Sequence, residues 1–244
     1  MTDRTMENSP QVYARIGGVL YLMIIALGMF AEGFVDAKLI VSGDATATAG
    51  NIIAAQPLWR LGTAANMLVV LCAVPLLLIE YVLLRPVSRN LALLAVMFNL
   101  VSLAVEAISK LFLFSVMAAL ENADYLTAFE PRQLHALAFL AYKSHGVAFN
   151  IALIFFGCTC VINGYLIFTS RYLPRFVGVL MQIAGVSYLT ACFAALFLPA
   201  FFELISPGIL LLPFIGESSF CLWLLVKGVD VREWGNAREA QLST

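Results

Sequence analysis

Six stretches of this chain are each long and apolar enough to cross a bilayer, and little else about it is as restrictive. They run Ile16–Ala37, Leu58–Leu84, Leu91–Leu120, Gly146–Phe168, Phe176–Leu198 and Gly208–Val226. About 20 apolar residues at 1.5 Å each span the hydrocarbon core. Inside lipid a segment must satisfy its own backbone hydrogen bonds, so each stretch is expected to be a helix. The expectation is an all-α, polytopic helical bundle of six transmembrane helices. Its divisions are an N-terminal cytoplasmic tail (1–14), a membrane domain (15–228) and a C-terminal cytoplasmic tail (229–244).

Composition agrees. The chain is 62% hydrophobic and 12% charged, with a mean hydropathy of +0.93, where soluble domains average about 45–50% apolar and about 25% charged. No basic patch suits nucleic acid, so the bilayer is the expected partner. The five cysteines lie in apolar stretches, and Cys158 and Cys160, two apart, point to different helix faces. They read as unpaired buried thiols, with no metal and no cofactor implied. The first ten residues are polar without being basic, and no small-residue cleavage pattern follows the first apolar run, so span one is expected to be retained.

Charge asymmetry sets an expected orientation. With the N-terminus inside, Arg4, Arg15, Arg85, Arg89, Arg171, Arg175, Lys227, Arg232 and Arg238 face the cytoplasm, against Lys38, Arg60, Arg132 and Lys143 outside. The positive-inside rule then puts both termini in the cytoplasm. Short interfacial helices are expected on the outer side. Asp44 can cap one running through Gln56, ahead of Trp59 as an interfacial anchor. Residues 131–145, opened by Pro131, either lie on the surface or extend span four. Pro75 and Pro213 are expected to bend their helices, and Gly157, Gly164, Gly178 and Gly185 to allow close packing.

Function is sought among the polar residues inside the spans, because ionisable groups at membrane depth are costly and face other helices or wet cavities. The long third span carries Asn99, Ser102, Glu106, Ser109 and Lys110 at helical spacing. Counting along the helices puts Glu32 and Glu106 each roughly 25 Å from the inner arginines. Asn66, His145, Asn150 and Glu217 fall in the outer parts of their spans. Five of the six spans thus bring a polar group toward the outer half. Glu32, Asn66, Asn99, Ser102, Glu106, Lys110, His145, Asn150 and Glu217 are therefore the candidate ligand-pocket residues.

Each has a plainer reading. Glu106 and Lys110 are four apart in the favourable order for an ion pair, yet Lys110 could snorkel to the headgroups. Glu217 has no neighbouring cation in its own span, so it is either protonated or paired with His145 or Lys110 from elsewhere. Glu80, near Arg85, reads as structural. The two histidines lack the spacing of a zinc protease, and no Gly-x-Ser-x-Gly occurs, so no catalytic residue is assigned.

Several segments carry a resemblance. Arg15-Ile-Gly-Gly-Val-Leu-Tyr-Leu with Phe30-Ala-Glu, Leu39-Ile-Val-Ser-Gly-Asp, Arg85-Pro-Val-Ser-Arg-Asn, Tyr172-Leu-Pro-Arg-Phe-Val-Gly-Val-Leu, Gly216-Glu and Leu222-Trp-Leu-Leu-Val-Lys-Gly resemble the bacterial membrane family called domain of unknown function 4386. The resemblance extends from Arg15 to about Gly228. It implies a multi-pass protein of the bacterial inner membrane and assigns no catalytic residue. Three functions stay open: a binder, transporter or sensor of a small polar or amphiphilic ligand (a lipid included); an accessory or assembly subunit within a homo-oligomer or beside a membrane partner; and an intramembrane Glu/His enzyme.

Overall fold

A computed structural model describes residues 10–121 and 124–242, with the side chains of Tyr125, Pro207 and Leu242 left aside. Met1 to Ser9, and Arg4 of the charge argument with them, lie outside the described residues. All the regular structure among the described residues is helical. Helix α1 is Pro10–Leu39, α2 Ala45–Ala54, α3 Gln56–Leu84, α4 Arg89–Leu120, α5 Pro131–Thr169 and α6 Arg175–Phe197. They are followed by α7 Pro199–Ile209, α8 Leu211–Val226 and α9 Val231–Leu242.

Five helices (α1, α3, α4, α5 and α6) are individually long and apolar enough to cross a membrane. The sixth expected span is not one straight helix. The segments Pro199–Ser206 and Leu211–Val226 are long and apolar enough only when taken together, and they meet at a bend of 56°, the geometry of a broken span or of a re-entrant loop. The break comes at Leu210, ahead of Pro213, the residue expected to cause the bend. Pro213 occupies the first turn of α8, where its missing N–H has no intrahelical partner to lose. Pro75 lies inside α3, which runs on through it.

Other expectations resolve into specific geometry. Asp44 caps α2, its Oδ1 accepting from the Ala47 N–H at 2.9 Å, and that helix stops at Ala54 rather than Gln56. Residues 131–145 extend span four, since α5 is one continuous helix of 39 residues opened by Pro131. A stretch near the end of α1, Met29–Asp36, is π-helical, a widened form that α-helical periodicity does not reveal. After Gly228, α9 seats Trp234, whose Nε1 donates to the Leu83 carbonyl at 3.2 Å.

The chain forms two compact units. Of the described residues, the first comprises 10–23, 72–103 and 150–242. Within it α5 and α6 meet along a glycine seam. A Cβ on Gly164 would lie 2.7 Å from the Gly178 carbonyl oxygen, and one on Gly185 would lie 2.6 Å from that of Gly157. Only hydrogen fits there, which is how small residues let membrane helices approach. In the turn between those helices Tyr172 donates to the Leu83 carbonyl at 2.8 Å, and burial holds its phenol above the ordinary range.

The second unit comprises Ile24–Leu71 and Ala104–Phe149. Its core gathers Val35, Leu39, Ile52, Trp59, Leu113, Val116, Met117 and Ala138. Trp59 is thus a core residue and not the interfacial anchor expected. Large apolar side chains such as Leu71, Leu78, Leu111 and Leu140 remain exposed, the arrangement of helices whose outer surface meets lipid.

Candidate functional site

The second unit holds a group of charged and polar side chains drawn from four helices. On α4, Lys110 is among the largest fully buried side chains of the described residues, at 1% exposure. Its Nζ donates to Asn66 Oδ1 on α3 at 2.9 Å and stands 3.5 Å from Glu106 Oε1, one turn back on its own helix. The same ammonium lies 4.8 Å from the centre of the Phe149 ring on α5. An oxygen, a carboxylate and an aromatic face therefore surround it. Lys110 does not snorkel; its stem and charge are both enclosed.

His145, on α5, is fixed from two sides. Its Nδ1 lies 3.2 Å from the Ser109 carbonyl oxygen, which can only accept, so the ring donates a proton there. Its Nε2 then faces Glu32 Oε1 at 3.7 Å. That separation is in ion-pair range but beyond hydrogen-bond length, and Glu32 Oε1 is buried with no hydrogen-bond partner. Phe149 stacks beneath the imidazole at 5.8 Å between ring centres. Lys110 and Asn66 also lie within electrostatic reach of Glu32, so the two pairs form one network.

One turn beyond Glu32 on the π-helical segment, Asp36 Oδ2 accepts from the Tyr142 hydroxyl at 2.9 Å. Asp36, Trp59, Thr63 and Asn66, together with Ala31, Val35, Gly62 and Leu113, line a cavity of about 10 Å³. That is room for about one water molecule, far below the ~300–1,000 Å³ of an ordinary small-molecule pocket.

Of the nine candidate residues, Glu32, Asn66, Glu106, Lys110 and His145 are brought together here. Asn99, Ser102, Asn150 and Glu217 belong to the first unit. Ser102 Oγ donates to the Ala152 carbonyl at 2.8 Å, fastening α4 to α5. Asn99 is buried, with Oδ1 unsatisfied. Asn150 is half-buried. Glu217 has neither His145 nor Lys110 as partner. Its carboxylate is bracketed by the hydroxyls of Tyr21, at 3.4 Å, and Tyr188. In the same unit Glu80 is buried and accepts from Asn163 Nδ2 at 3.1 Å, with Glu217 among its electrostatic neighbours.

Asp36, Tyr142 and Phe149 escaped sequence reading, although a signal existed. Tyr142 and Phe149 stand three before and four after His145, on one helix face, and Asp36 stands four after Glu32. Tyr21, Tyr188 and Asn163 left no comparable trace, because their acids are distant in sequence.

The model of the family described as Domain of unknown function (DUF4386) matches residues 16–228. The chain belongs to the DUF4386 family. One relative is an uncharacterized protein of Archaeoglobus fulgidus, 28% identical over 166 residues, which cover 68% of this chain and 83% of that one. No solved structure matches it. The DUF4386 match spans α1 through α8, so both polar groups lie within the family's own region.

Proposed function

We propose that this DUF4386 protein binds and exchanges protons at the charged group of its second unit, coupling protonation to the binding, transport or sensing of a small polar or amphiphilic solute. Charge balance supports this reading. Three carboxyls (Glu32, Asp36 and Glu106) share their surroundings with one lysine and one imidazole. A low-dielectric site tends toward neutrality. With the carboxyls ionised, Lys110 offsets one of three negative charges, so a neutral site holds two further protons. The single observation that carries the proposal is His145. Its Nδ1 proton is committed to Ser109, so Nε2 is the ring atom left to take a proton, and it faces the Glu32 carboxyl. A single proton on this pair has two resting places, acid with imidazole or carboxylate with imidazolium.

The solute would enter by opening the group, since the cavity beside Asn66 admits only about one water. The expected setting is a cell membrane with both termini in the cytoplasm, as the distribution of Lys and Arg suggests.

Infrared spectroscopy of the purified full chain in lipid, across pH and in H2O and D2O, tests this. A carboxylic-acid C=O stretch should appear, shift in D2O, change in intensity with pH and weaken in Glu32→Gln. A wild-type minus Glu32→Gln difference spectrum with no pH-dependent carboxyl band overturns the reading. Mass spectrometry of what co-purifies with the protein addresses the solute.

A second reading, an assembly subunit whose polar residues fasten helices, is favoured by Ser102 on the Ala152 carbonyl and Thr159 Oγ1 on the Ala95 carbonyl at 3.3 Å. It predicts that the same substitution disrupts the purified protein and leaves every pH response unaltered.

A further inference from the structure

We infer that one water molecule is bound in the cavity lined by Asp36, Trp59, Thr63 and Asn66, and that it joins the Asp36–Tyr142 pair to the Asn66–Lys110 pair. Size and chemistry converge on water. The space is about 10 Å³, enough for one water and too small for a larger solute. Four of its eight lining residues are polar, whereas cavities that stay dry are apolar.

The second, independent observation is Trp59. The residue is 2% exposed, it lines this cavity, and its indole Nε1 is buried with no hydrogen-bond partner. An indole can only donate. A buried donor of this kind is normally satisfied by protein or ordered water, and here the adjacent space is the size of a water.

The inventory of the remaining groups closes around the same molecule. Asn66 Oδ1 accepts from Lys110 and one Nδ2 hydrogen is within hydrogen-bonding reach of Glu32, which leaves the second Nδ2 hydrogen as donor. Asp36 Oδ2 accepts from Tyr142, which leaves Oδ1 as acceptor. A water accepts from Trp59 and Asn66 and donates to Asp36 and to the Thr63 hydroxyl, making the usual two to four hydrogen bonds. A bare cation suits the site poorly, because the indole offers it only a hydrogen. With the water in place, Tyr142, Asp36, Asn66, Lys110 and Glu106 form a continuous set of exchangeable hydrogens. The inference stands on the cavity and the indole, so it survives or fails independently of proton exchange at Glu32 and His145.

Ultraviolet resonance Raman spectroscopy of the full chain in lipid nanodiscs reads the hydrogen-bond state of indole N–H groups. Subtracting the Trp59→Phe spectrum isolates Trp59 from Trp223 and Trp234. The expected wild-type band sits at the hydrogen-bonded position. Ala31→Val places two methyl groups against the cavity and should shift the band to the unbonded position. An unbonded band in wild type, or a bonded band unchanged in Ala31→Val, overturns the inference. Should Ala31→Val lose its helical circular dichroism, a wild-type density map that shows ordered water decides instead. A peak between Trp59 and Asp36 supports the site, and an empty cavity refutes it.

Discussion

In the second unit Glu32 and Glu106 stand against His145 and Lys110, whereas in the first Glu217 and Glu80 are held by neutral donors, two tyrosine hydroxyls and an asparagine amide. Among the described residues no ion pair reaches either acid of the first unit. The difference is one of tolerance. A hydroxyl or amide keeps a hydrogen-bonding role whether the acid beside it carries a proton or not, because the hydroxyl hydrogen rotates. An ammonium has no such freedom: it needs an anion or an oxygen, and it cannot accept. The crevice at Glu80 and Asn163 also leaves no space for water, while the one beside Asp36 has room for about one. A charged, hydrated group is suited to exchange protons. A dry group of neutral donors is suited to hold helices.

The sharpest way to break that comparison is Lys110→Met. Methionine keeps much of the stem and removes the charge, leaving Glu106 and Asn66 Oδ1 without their partner. Breaking a buried pair by deleting one member costs about 3–5 kcal/mol, which should appear as a large fall in the thermal unfolding midpoint in detergent. The double variant Lys110→Met with Glu106→Gln should recover part of the loss, because it removes the stranded charge as well. A single variant as stable as wild type would mean that Lys110 is not held as an ion, and the contrast between the units would vanish.

Glu217→Gln should cost less. The amide oxygen accepts from one tyrosine, and the amide nitrogen donates to the other once its hydroxyl turns. The expected loss is that of one weakened hydrogen bond, about 0.5–1.5 kcal/mol, in the same unfolding measurement. Should it equal the loss for Lys110→Met, then Glu217 is held as a charge, and the division between charged and neutral sites is wrongly drawn.

The sequence carried part of this contrast and concealed the rest for identifiable reasons. Glu106 and Lys110 are one helical turn apart, so their pairing is local and readable. Asn66, His145 and Glu32 join them because depth along each helix can be judged from the ends of its span. Rotation about the helix axis cannot be counted that way, which is why depth alone leaves Glu217 open between a proton and a distant cation and does not find Tyr21 and Tyr188. Trp59 misled for a related reason. An aromatic at the end of a span suggests an anchor, but its indole turns inward to Leu113 and Val116. The π-helical stretch at Glu32 and the break at Leu210 depend on backbone geometry, and an apolar composition fits the regular and the irregular form equally well. The family's extent was readable because its segments are spread along the chain, and the match over residues 16–228 agrees.

The smallest expected effect is at Arg60 and Glu121, and it isolates the variable that matters. That pair spans 3.7 Å, close to the 3.5 Å of Lys110 and Glu106, but its side chains are 64% and 53% exposed against 1% and 13%. Distance is nearly constant; solvation is not. Water and salt screen the exposed pair, and ordering two long side chains offsets most of the remaining attraction, so such bridges contribute about 0.2–1 kcal/mol. Glu121→Gln should therefore move the unfolding midpoint little, and that small shift should shrink as salt is raised. The midpoint difference between Lys110→Met and wild type should by contrast persist in high salt, because counter-ions do not reach a lysine enclosed by Asn66, Glu106 and Phe149. A Lys110→Met effect that salt abolished would place the second unit's charges in contact with water, and they would then be no more enclosed than Arg60.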